Sequence, residues 1–524
     1  MIVLLPSIMM IIMRMMIIII MMMISTLGYQ CNRYISSSIS SSSSISSISS
    51  ISSISSSSSI SSIRLYNKNN IIGECELATE GTVACDFNNV NDINNDNDND
   101  NVISQSVWTV FGEIASQTGA INLGQGFPDW KPPQFLLDSL KETVDTSFHQ
   151  YTRPAGHPPL VELLASRYSR HLNQNIDPLN EVAITVGASQ ALYLALITFL
   201  KPDDEVVMFE PFFDLYLKQI KLTGAKAKFV SLGGSSATSK DPWALDINKL
   251  KDTITDKTRI LILNSPHNPT GKVFTLSELE AIAQIVRDNP NIIVLSDEVY
   301  KFTVYNPKED GDLTSKGHYH FARLPDMWDR TITLSSCGKT FSITGWQVGW
   351  TVGPSKYIKP IQELLPCVQF CASTPIQHAL MCALQIAEKP YEGHSNYYEW
   401  MRSQFQSKRM ILQEGLEAAG IETVESEGGF FLMGKLPIRP DVLKSAQNSA
   451  EPYDWHFCRM LANDYGVVAI PASPFFSSKE AADRMGPMAR FAFCKRDETL
   501  IKANKALKAG ALKYKETLII KAML

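Results

Sequence analysis

Residues 259–271 read RILILNSPHNPTG, a short apolar run that ends abruptly in a polar loop containing two prolines and a glycine. The apolar run is continuous rather than alternating, which is typical of a strand buried on both faces of a parallel sheet. Similar runs recur along the chain at Val182–Val186, Glu205–Phe209, Ala227–Val230, Ile292–Leu295 and Thr331–Leu334. These runs predict the strands of one central sheet.

The segments between the runs carry apolar residues at steps of three and four. Ser189–Leu200 and Ser277–Asn289 therefore predict crossover helices, and Ser277 with Glu280 predicts a capping box on the second of them. Alternating strands and helices indicate a doubly wound α/β fold with a mostly parallel sheet. In such a sheet, ligands bind beyond the carboxyl ends of the strands.

After Val352 the strand-like runs become sparse, and long amphipathic stretches such as Tyr397–Ala419 take over. Helices segregated from a few strands predict a smaller α+β domain. We expect residues 102–131 to form a segment that packs with this smaller domain. The large domain is predicted over residues 132–400 and the small C-terminal domain over 401–524.

Residues 1–101 differ in kind from the rest. Met1–Ile24 is almost entirely apolar but carries Arg14 at its middle, while residues 35–63 contain only Ser and Ile and residues 88–101 only Asn, Asp, Val and Ile. The interpretation is a low-complexity, disordered leader. No acidic residue precedes Glu74, which is typical of a mitochondrial transit peptide. A leader without an address, and a membrane anchor, are the alternatives; localisation is thus mitochondrial or cytoplasmic.

Composition excludes several classes of protein. With 48 basic and 53 acidic side chains and a net charge of −5, the chain lacks the charge of a nucleic-acid binder. The cysteines of the body form no C-x-x-C pair, which favours a reducing compartment over a disulfide framework. The histidines form no ligand pair at helical spacing, so no metal site is predicted. No stable membrane span is expected after the leader.

Polar residues follow several of the predicted strands. Asp297 and Tyr300 follow the run that ends at Leu295, Asn268 lies in the proline-fixed loop, and Lys339 lies among small residues after Leu334. Residues 187–190 open a helix with free N–H groups beside the Ser189 hydroxyl, which suits a phosphate. An amine, a carboxylate, a phenol, an amide and an anion seat are together what pyridoxal phosphate requires.

The chain resembles the class I, fold-type I aminotransferases, and within them the kynurenine aminotransferase / glutamine transaminase K / cysteine-S-conjugate β-lyase group. The resemblance covers nearly all of the body. It rests on Ile121–Asp129, Glu210–Asp214, Asn264–Gly271, Asp297–Tyr300, Ser336–Trp346 and Val468–Pro471. It implies the fold of pyridoxal-phosphate-dependent transferases and that cofactor.

The resemblance also implies residue roles. Lys339 would hold the cofactor as a Schiff base and then move the proton of the substrate α-carbon. Asp297 would pair with the pyridine nitrogen, Tyr300 and Asn268 would hydrogen-bond the ring oxygen, and Phe213 would stack on the ring. The cofactor-binding set is completed by Ala188, Ser189, Ser336, Gln347 and Tyr151.

For the substrate, the resemblance implies that Arg490 binds the α-carboxylate as a bidentate fork. Asn268, the backbone at Gly126 and the indole of Trp108 would assist. Tyr151 matches a tyrosine that reaches the phosphate of the neighbouring subunit, so a homodimer with shared active sites is implied.

Three positions depart from the family pattern. Gln347 stands where the family usually has a basic residue, in Gly345-Trp346-Gln347-Val348-Gly349-Trp350. A neutral amide can donate to a phosphate but cannot neutralise it, which predicts weaker cofactor retention. Ser189 and Cys371 stand where some members have an aromatic residue and a histidine, and both positions bear on side-chain specificity.

The leading hypothesis is a ping-pong transaminase that moves an amino group from an aromatic, thioether or glutamine-type amino acid, kynurenine among them, to a 2-oxo acid. The runner-up is a dominant cysteine-S-conjugate β-lyase activity, which needs no extra residue. A cofactor-poor pseudoenzyme that acts as a binding protein is the alternative from another class. The sequence does not rank the amino donors.

Overall fold

The computed structural model describes residues 62–67, 70–77, 83–86, 106–233, 241–305 and 317–523. Residues 1–104 and 105–524 form two separate units. In the first unit, strands β1 (Ser62–Asn67), β2 (Asn70–Leu77) and β3 (Val83–Asp86) pair as an antiparallel sheet. These strands lie inside the range 1–101 for which the sequence predicts a disordered leader, in a stretch of more varied composition, and the leader assignment stays a prediction. The remaining leader, including the transit-peptide prediction, lies outside the described residues.

The second unit contains the following elements. Its strands are β4 (Ile121–Asn122), β5 (Val182–Val186), β6 (Glu205–Glu210), β7 (Lys226–Ser231), β8 (Thr258–Asn264), β9 (Ile293–Asp297), β10 (Thr331–Ser336), β11 (Val348–Val352), β12 (Glu422–Val424), β13 (Phe431–Lys435), β14 (Val467–Val468), β15 (Ile470–Pro471) and β16 (Met488–Ala492). Its α-helices are α1 (Val107–Thr118), α2 (Gln134–Val144), α3 (Pro158–Leu172), α4 (Gly187–Phe199), α5 (Asp214–Leu222), α6 (Ile247–Thr253), α7 (Leu276–Asp288), α8 (Ser355–Val368), α9 (Thr374–Ala387), α10 (Tyr397–Ala418), α11 (Pro440–Gln447), α12 (Tyr453–Asp464), α13 (Lys479–Met485) and α14 (Asp497–Met523).

Seven strands of the described chain form the central sheet in the order β5-β11-β10-β9-β8-β6-β7. The pairs β9–β10, β8–β9, β6–β8 and β6–β7 are parallel, which confirms the mostly parallel sheet. Strand β11 pairs antiparallel with both β10 and β5. The apolar runs do not predict this strand, because its short run directly follows the lysine loop without a helix between them.

The continuous apolar runs are explained by burial on both faces of this sheet. Val207 and Leu261 pack into one apolar cluster, while Met208 and Ile262, their neighbours in sequence, pack into another. Successive side chains of a strand point to opposite faces, so both faces are covered. Helices lie on both faces, as the alternation of strands and helices predicts.

A smaller antiparallel sheet has the order β12-β13-β16-β15. Strand β4 pairs in parallel with β14, and α1 packs against α12, so the segment after residue 106 lies with the elements of this smaller sheet. Helix α10 runs through residues 400 and 401, where the sequence placed the domain boundary. A continuous helix, and not a linker, therefore spans the predicted boundary.

The start of α7 differs from its prediction in one detail. Thr275 is the cap: its hydroxyl accepts from the Glu278 N–H, and the Glu278 carboxylate accepts from the Thr275 N–H. The sequence prediction of a box from Ser277 and Glu280 is wrong by two residues. Both pairs have the required spacing, and only the backbone of residue 275 has the extended conformation of a cap.

None of the helices in the described ranges combines the length and apolar character that a membrane-spanning segment needs.

Candidate active site

The carboxyl ends of β8, β9 and β10 meet at one edge of the central sheet. Asn264 pairs with Asp297 across β8 and β9, and Leu334 pairs with Asp297 across β10 and β9. A cavity of about 540 Å³ opens at this edge. The predicted site residues that line it are Trp108, Gly126, Ala188, Ser189, Phe213, Asn268, Asp297, Tyr300, Ser336, Lys339, Gln347 and Arg490.

Lys339 reaches the cavity from the loop that follows β10. Its Nζ lies 3.4 Å from the Gly126 carbonyl oxygen and 5.5 Å from the centre of the Phe430 ring. Burial lowers the pKa of Lys339 below its ordinary value, and the nearby Arg490 cation lowers it further. A lowered pKa increases the neutral fraction of the amine, which is the nucleophilic form.

Asp297 ends β9, and its carboxylate is held from two sides. The Tyr216 hydroxyl donates to Oδ2 at 2.6 Å, and the Val299 N–H donates to Oδ1 at 3.2 Å. Burial raises the pKa of the Asp297 carboxyl, and the Tyr216 hydrogen bond acts in the opposite direction. The phenol therefore helps to keep a buried carboxyl ionised.

Sequence reasoning does not assign a role to Tyr216. This residue lies in the first turn of α5, three residues beyond Phe213 of the Glu210–Asp214 motif. The motif marks the region, but only the packing of α5 on the sheet brings this phenol to Asp297, 81 positions away.

The proline-fixed loop after β8 is organised by Asn264. Its side-chain carbonyl accepts from the Asn268 N–H at 2.8 Å, and its amide donates to the Asp297 carbonyl oxygen at 3.0 Å. The motif contains Asn264 without indicating a role for it; the structure makes it the residue that joins the two strand ends. Asn268 then uses its side-chain oxygen to accept from Arg490 Nη1 at 3.0 Å.

Arg490 lies on β16, at the wall of the cavity that the smaller sheet contributes. Its side chain is 1% exposed, its Nη2 donates to the Gly124 carbonyl at 2.9 Å, and its guanidinium lies 3.9 Å from the centre of the Phe431 ring. Burial lowers the pKa of Arg490 to about 10, so the group remains a cation at neutral pH. Its Nε has no hydrogen-bond partner among the described residues, which leaves a charged donor for an anionic ligand.

Trp108 lies in the cavity beside Arg490. The indole N–H donates to Asp214 Oδ2 at 3.1 Å, while the Arg490 guanidinium lies 4.8 Å from the centre of the indole ring. The indole N–H is therefore paired with Asp214, and the ring face lies against the Arg490 guanidinium. At Gly126, an added Cβ would lie 2.5 Å from Phe431, so the close approach of this backbone requires glycine.

Tyr300 and Phe213 place aromatic rings at the cavity. Tyr300 is buried and packs edge-on against Phe430 with ring centres 5.0 Å apart. Burial raises the pKa of Tyr300, so it remains a phenol and can donate. The Phe213 ring stands perpendicular to that of Tyr216 at 5.7 Å.

The predicted phosphate seat lies at the start of α4. Its first N–H groups have no partner within the helix, as at any helix start, and Ala188 and Ser189 lie in this turn. Gln347 covers the seat: an added Cβ at Gly187 would lie 2.4 Å from its Oε1. The Gln347 amide nitrogen donates to the Thr344 carbonyl, within its own turn.

Tyr151 is the one predicted site residue that the cavity does not include. Its side chain is 80% exposed, and its ring packs against that of Phe370 at 4.7 Å. It is therefore placed on the surface of the subunit.

These residues fit pyridoxal phosphate. A half-buried amine, a buried carboxylate, a phenol and a helix start with free N–H groups line one cavity. An added Cβ at Gly349 would lie 2.4 Å from the Gly187 backbone, so β11 supports the helix start at a distance only glycine allows. Lys339 would hold the cofactor, Asp297 its ring nitrogen and α4 its phosphate.

A second polar cluster lies beneath the strand ends. Glu298, His318 and His320 are buried, with ligand-type atoms within 4.8 Å of one another. His320 Nδ1 lies only 2.6 Å from Glu298 Oε2, a hydrogen-bond distance. The imidazoles of His320 and His318 lower the pKa of Glu298 well below its ordinary value despite its burial. The geometry is that of a hydrogen-bonded network, and we assign no metal to it.

Comparison with known proteins gives the class of this chain. Residues 118–494 match the family of class I and II aminotransferases. A kynurenine–oxoglutarate transaminase of Dictyostelium discoideum is 39% identical over 419 residues, which cover 77% of this chain and 93% of that protein. Kynurenine–oxoglutarate transaminase 3 of Homo sapiens is 34% identical over 415 residues, covering 78% and 89%. A solved structure of an Escherichia coli protein with a methionine aminotransferase function matches with a TM-score of 0.67 at 29% identity, covering 78% of this chain and 97% of that one.

The chain belongs to the class I and II aminotransferases. It has the fold of aspartate aminotransferase, as the resemblance implied. It is an enzyme that catalyses pyridoxal-phosphate-dependent transamination. The relatives do not favour the alternatives of a dominant β-lyase or a cofactor-poor binding protein.

Proposed function

We propose that this enzyme takes the amino group of an aromatic, thioether or glutamine-type amino acid, kynurenine among them, and gives it to a 2-oxo acid, with pyridoxal phosphate held at Lys339. The observation that carries the proposal is the shared cavity of Lys339 and Arg490: a half-buried amine of lowered pKa and a buried guanidinium with a free Nε line the same space. The relatives named as kynurenine–oxoglutarate transaminases support the donor class.

The residues divide the work between binding and proton transfer. Arg490, held by Asn268 and Gly124, binds the α-carboxylate and so orients the α-carbon. Pyridoxal phosphate, when bound, supplies an electron-withdrawing ring that stabilises the carbanion left by loss of the α-proton. Lys339 Nζ would take that proton from the substrate α-carbon and deliver it to the cofactor, and Asp297 would keep the ring nitrogen protonated.

The walls of the cavity suit an uncharged donor side chain. Trp108, Phe127 and Phe431 line it, and the Lys218 cation is paired with Asp214 at 2.6 Å. Aromatic faces stabilise aromatic and thioether groups. The Lys218 charge is thus already paired with a carboxylate of the protein.

The half-reaction tests the proposal directly. Kynurenine, glutamine, methionine and phenylalanine are added one at a time to the purified enzyme without an oxo acid. We expect the visible absorption of the bound cofactor to bleach with each productive donor, and the Lys339→Ala variant to show no bleaching. A parent protein that does not bind pyridoxal phosphate, or whose absorption changes with none of the four, contradicts the proposal.

We further propose a homodimer with shared active sites. The exposed Tyr151 and Phe370 rings, packed on each other outside the cavity, support it, because large exposed aromatic groups mark interaction surfaces. Sedimentation equilibrium of the full chain measures the assembly, and a monomer at micromolar concentration would contradict it.

We also propose that residues 1–101 direct the enzyme to mitochondria, with the cytoplasm as the location if they carry no address. The support is compositional: scattered arginines, many serines and no acidic residue before Glu74. Fusing residues 1–101 to a fluorescent reporter tests this, and a diffuse cytoplasmic signal would exclude import.

A further inference from the structure

A second cavity, of about 330 Å³, lies outside the active site. Trp130, Tyr397, Trp400 and Phe405 supply its aromatic walls, and Gln404 and Arg496 also line it. Its volume falls at the lower end of the range of about 300–1,000 Å³ that is usual for small-molecule sites. We refer to it below as the second cavity.

The walls of the second cavity are suited to a ring. Tyr397 and Trp400 lie 5.5 Å apart between ring centres, and Trp130 and Phe405 lie 5.8 Å apart. The Lys408 amine lies 5.2 Å from the centre of the Trp130 ring. Tilted aromatic pairs and cation–π contacts of this kind stabilise a structure by more than the apolar area they bury.

Charges of both signs lie at the second cavity. Lys408 is paired with Asp497, Arg496 lies 3.8 Å from Asp129, and Glu498 adds a further carboxylate. A zwitterion can pair with charges of both signs. Gln404 makes no side-chain hydrogen bond within the described ranges, so its amide remains for a ligand.

The second cavity is connected to the active site through one loop. Asp129 accepts from the Arg496 N–H at 2.6 Å and from the Thr499 hydroxyl at 2.7 Å. The neighbouring Lys495 amine donates to the carbonyl oxygens of Gln125 and Phe127, residues that line the active-site cavity. The loop of residues 124–130 thus carries walls of both cavities.

We propose that the second cavity is a binding site for an aromatic amino acid in its zwitterionic form. The ring occupies the space among Trp130, Tyr397 and Trp400, and the ammonium and carboxylate groups pair with the charges of the rim. The site is distinct from the one at Lys339, and the proposal does not depend on which amino acid is the donor.

The test uses the full-length holoenzyme and α-methyl-L-phenylalanine as the probe. This amino acid has no α-hydrogen, so Lys339 has no proton to remove and binding is measured without turnover. Calorimetric titration is carried out on the parent and on the Arg490→Lys, Trp400→Leu and Arg496→Gln variants. Lys435→Gln, which removes an exposed cation of the smaller sheet, is the matched control.

We expect the parent and Lys435→Gln to bind two probe molecules per chain. Arg490→Lys keeps the second-cavity site and loses or weakens the other, while Trp400→Leu shows the reverse. Arg496→Gln weakens binding of the probe at the second cavity about 10-fold, since a hydrogen bond to a charged group is worth about 1.5 kcal/mol or more. This variant tests the second site if Trp400→Leu does not fold.

A parent that binds one probe molecule, lost in Arg490→Lys and unchanged in Arg496→Gln, overturns the second site and leaves the proposed transaminase intact. A parent that binds none also overturns it.

Discussion

Arg490 is the residue that we expect to bind the substrate carboxylate. Lysine keeps the charge but not the planar fork, so Arg490→Lys is expected to weaken recognition of the substrate carboxylate. Loss of one hydrogen bond to a charged group predicts a KM about 10- to 100-fold higher, from about 1.5–3 kcal/mol. Steady-state kinetics measure this, with Lys141→Gln at an exposed ion pair as the control. An unchanged KM would contradict the assignment.

Tyr216 is expected to act through Asp297. In Tyr216→Phe, the carboxylate loses its 2.6 Å hydrogen bond, and because burial already raises the pKa of Asp297, that pKa rises further. The carboxylate form pairs with the protonated ring nitrogen, so it is lost at a higher pH in the variant. The acid limb of cofactor affinity against pH should therefore shift upward.

The measurement for Tyr216→Phe is a titration of the apoenzyme with pyridoxal phosphate between pH 5 and 8, followed by absorption. Tyr357→Phe, at a half-buried phenol remote from Asp297 in the chain, is the control. Coincident profiles for Tyr216→Phe and the parent would show that the phenol does not hold the carboxyl ionised.

Gln347 offers a prediction about cofactor retention. The lysine of Gln347→Lys places a cation at the helix start that Gln347 now covers, and a charged donor should bind a phosphate more tightly by about 1–2 kcal/mol. Dialysis of the holoenzyme, with the retained cofactor measured by absorption, compares the two proteins. The hypothesis fails if the variant loses the cofactor as fast as the parent does.

Among the elements, α7 tests the capping assignment. Thr275→Val removes the hydroxyl that caps the helix and should lower the free energy of unfolding by about 1 kcal/mol. Ser277→Ala is the comparison: this residue lies inside the helix with its hydroxyl 3.1 Å from that of Thr275, so its loss should cost less than loss of the cap itself. Urea denaturation followed by circular dichroism measures both. A larger loss for Ser277→Ala than for Thr275→Val would favour a box from Ser277 and Glu280 instead.

For the whole molecule, the shared active site can be tested by complementation. Tyr151→Ala and Lys339→Ala subunits should each be poorly active alone. In a mixed dimer, the subunit that keeps Lys339 receives Tyr151 from its neighbour, so one site in two is complete. Random mixing at equal amounts should restore about a quarter of the parent activity, because half of the dimers are mixed.

Subunits are unfolded and refolded together for this measurement, and each variant refolded alone is the control. Activity of the mixture equal to the mean of the two variants would show that Tyr151 does not complete a neighbouring site.

The sequence by itself determined the kind of sheet and the order of the reactive residues along it. Continuous apolar runs require burial on both faces, and ligands bind where such strands end, so the pattern alone places Asn268, Asp297 and Lys339 at one edge of the sheet. The roles of these residues and of Arg490 follow from motifs that resemble a known family.

Only the tertiary structure decided the contacts between distant parts of the chain. Arg490 meets Asn268 across 222 positions, Tyr216 reaches Asp297, and β11 enters the sheet against its neighbours. Local patterns report which residues are buried and how the backbone is spaced. They do not report which buried surfaces meet, because that depends on the packing of the whole chain.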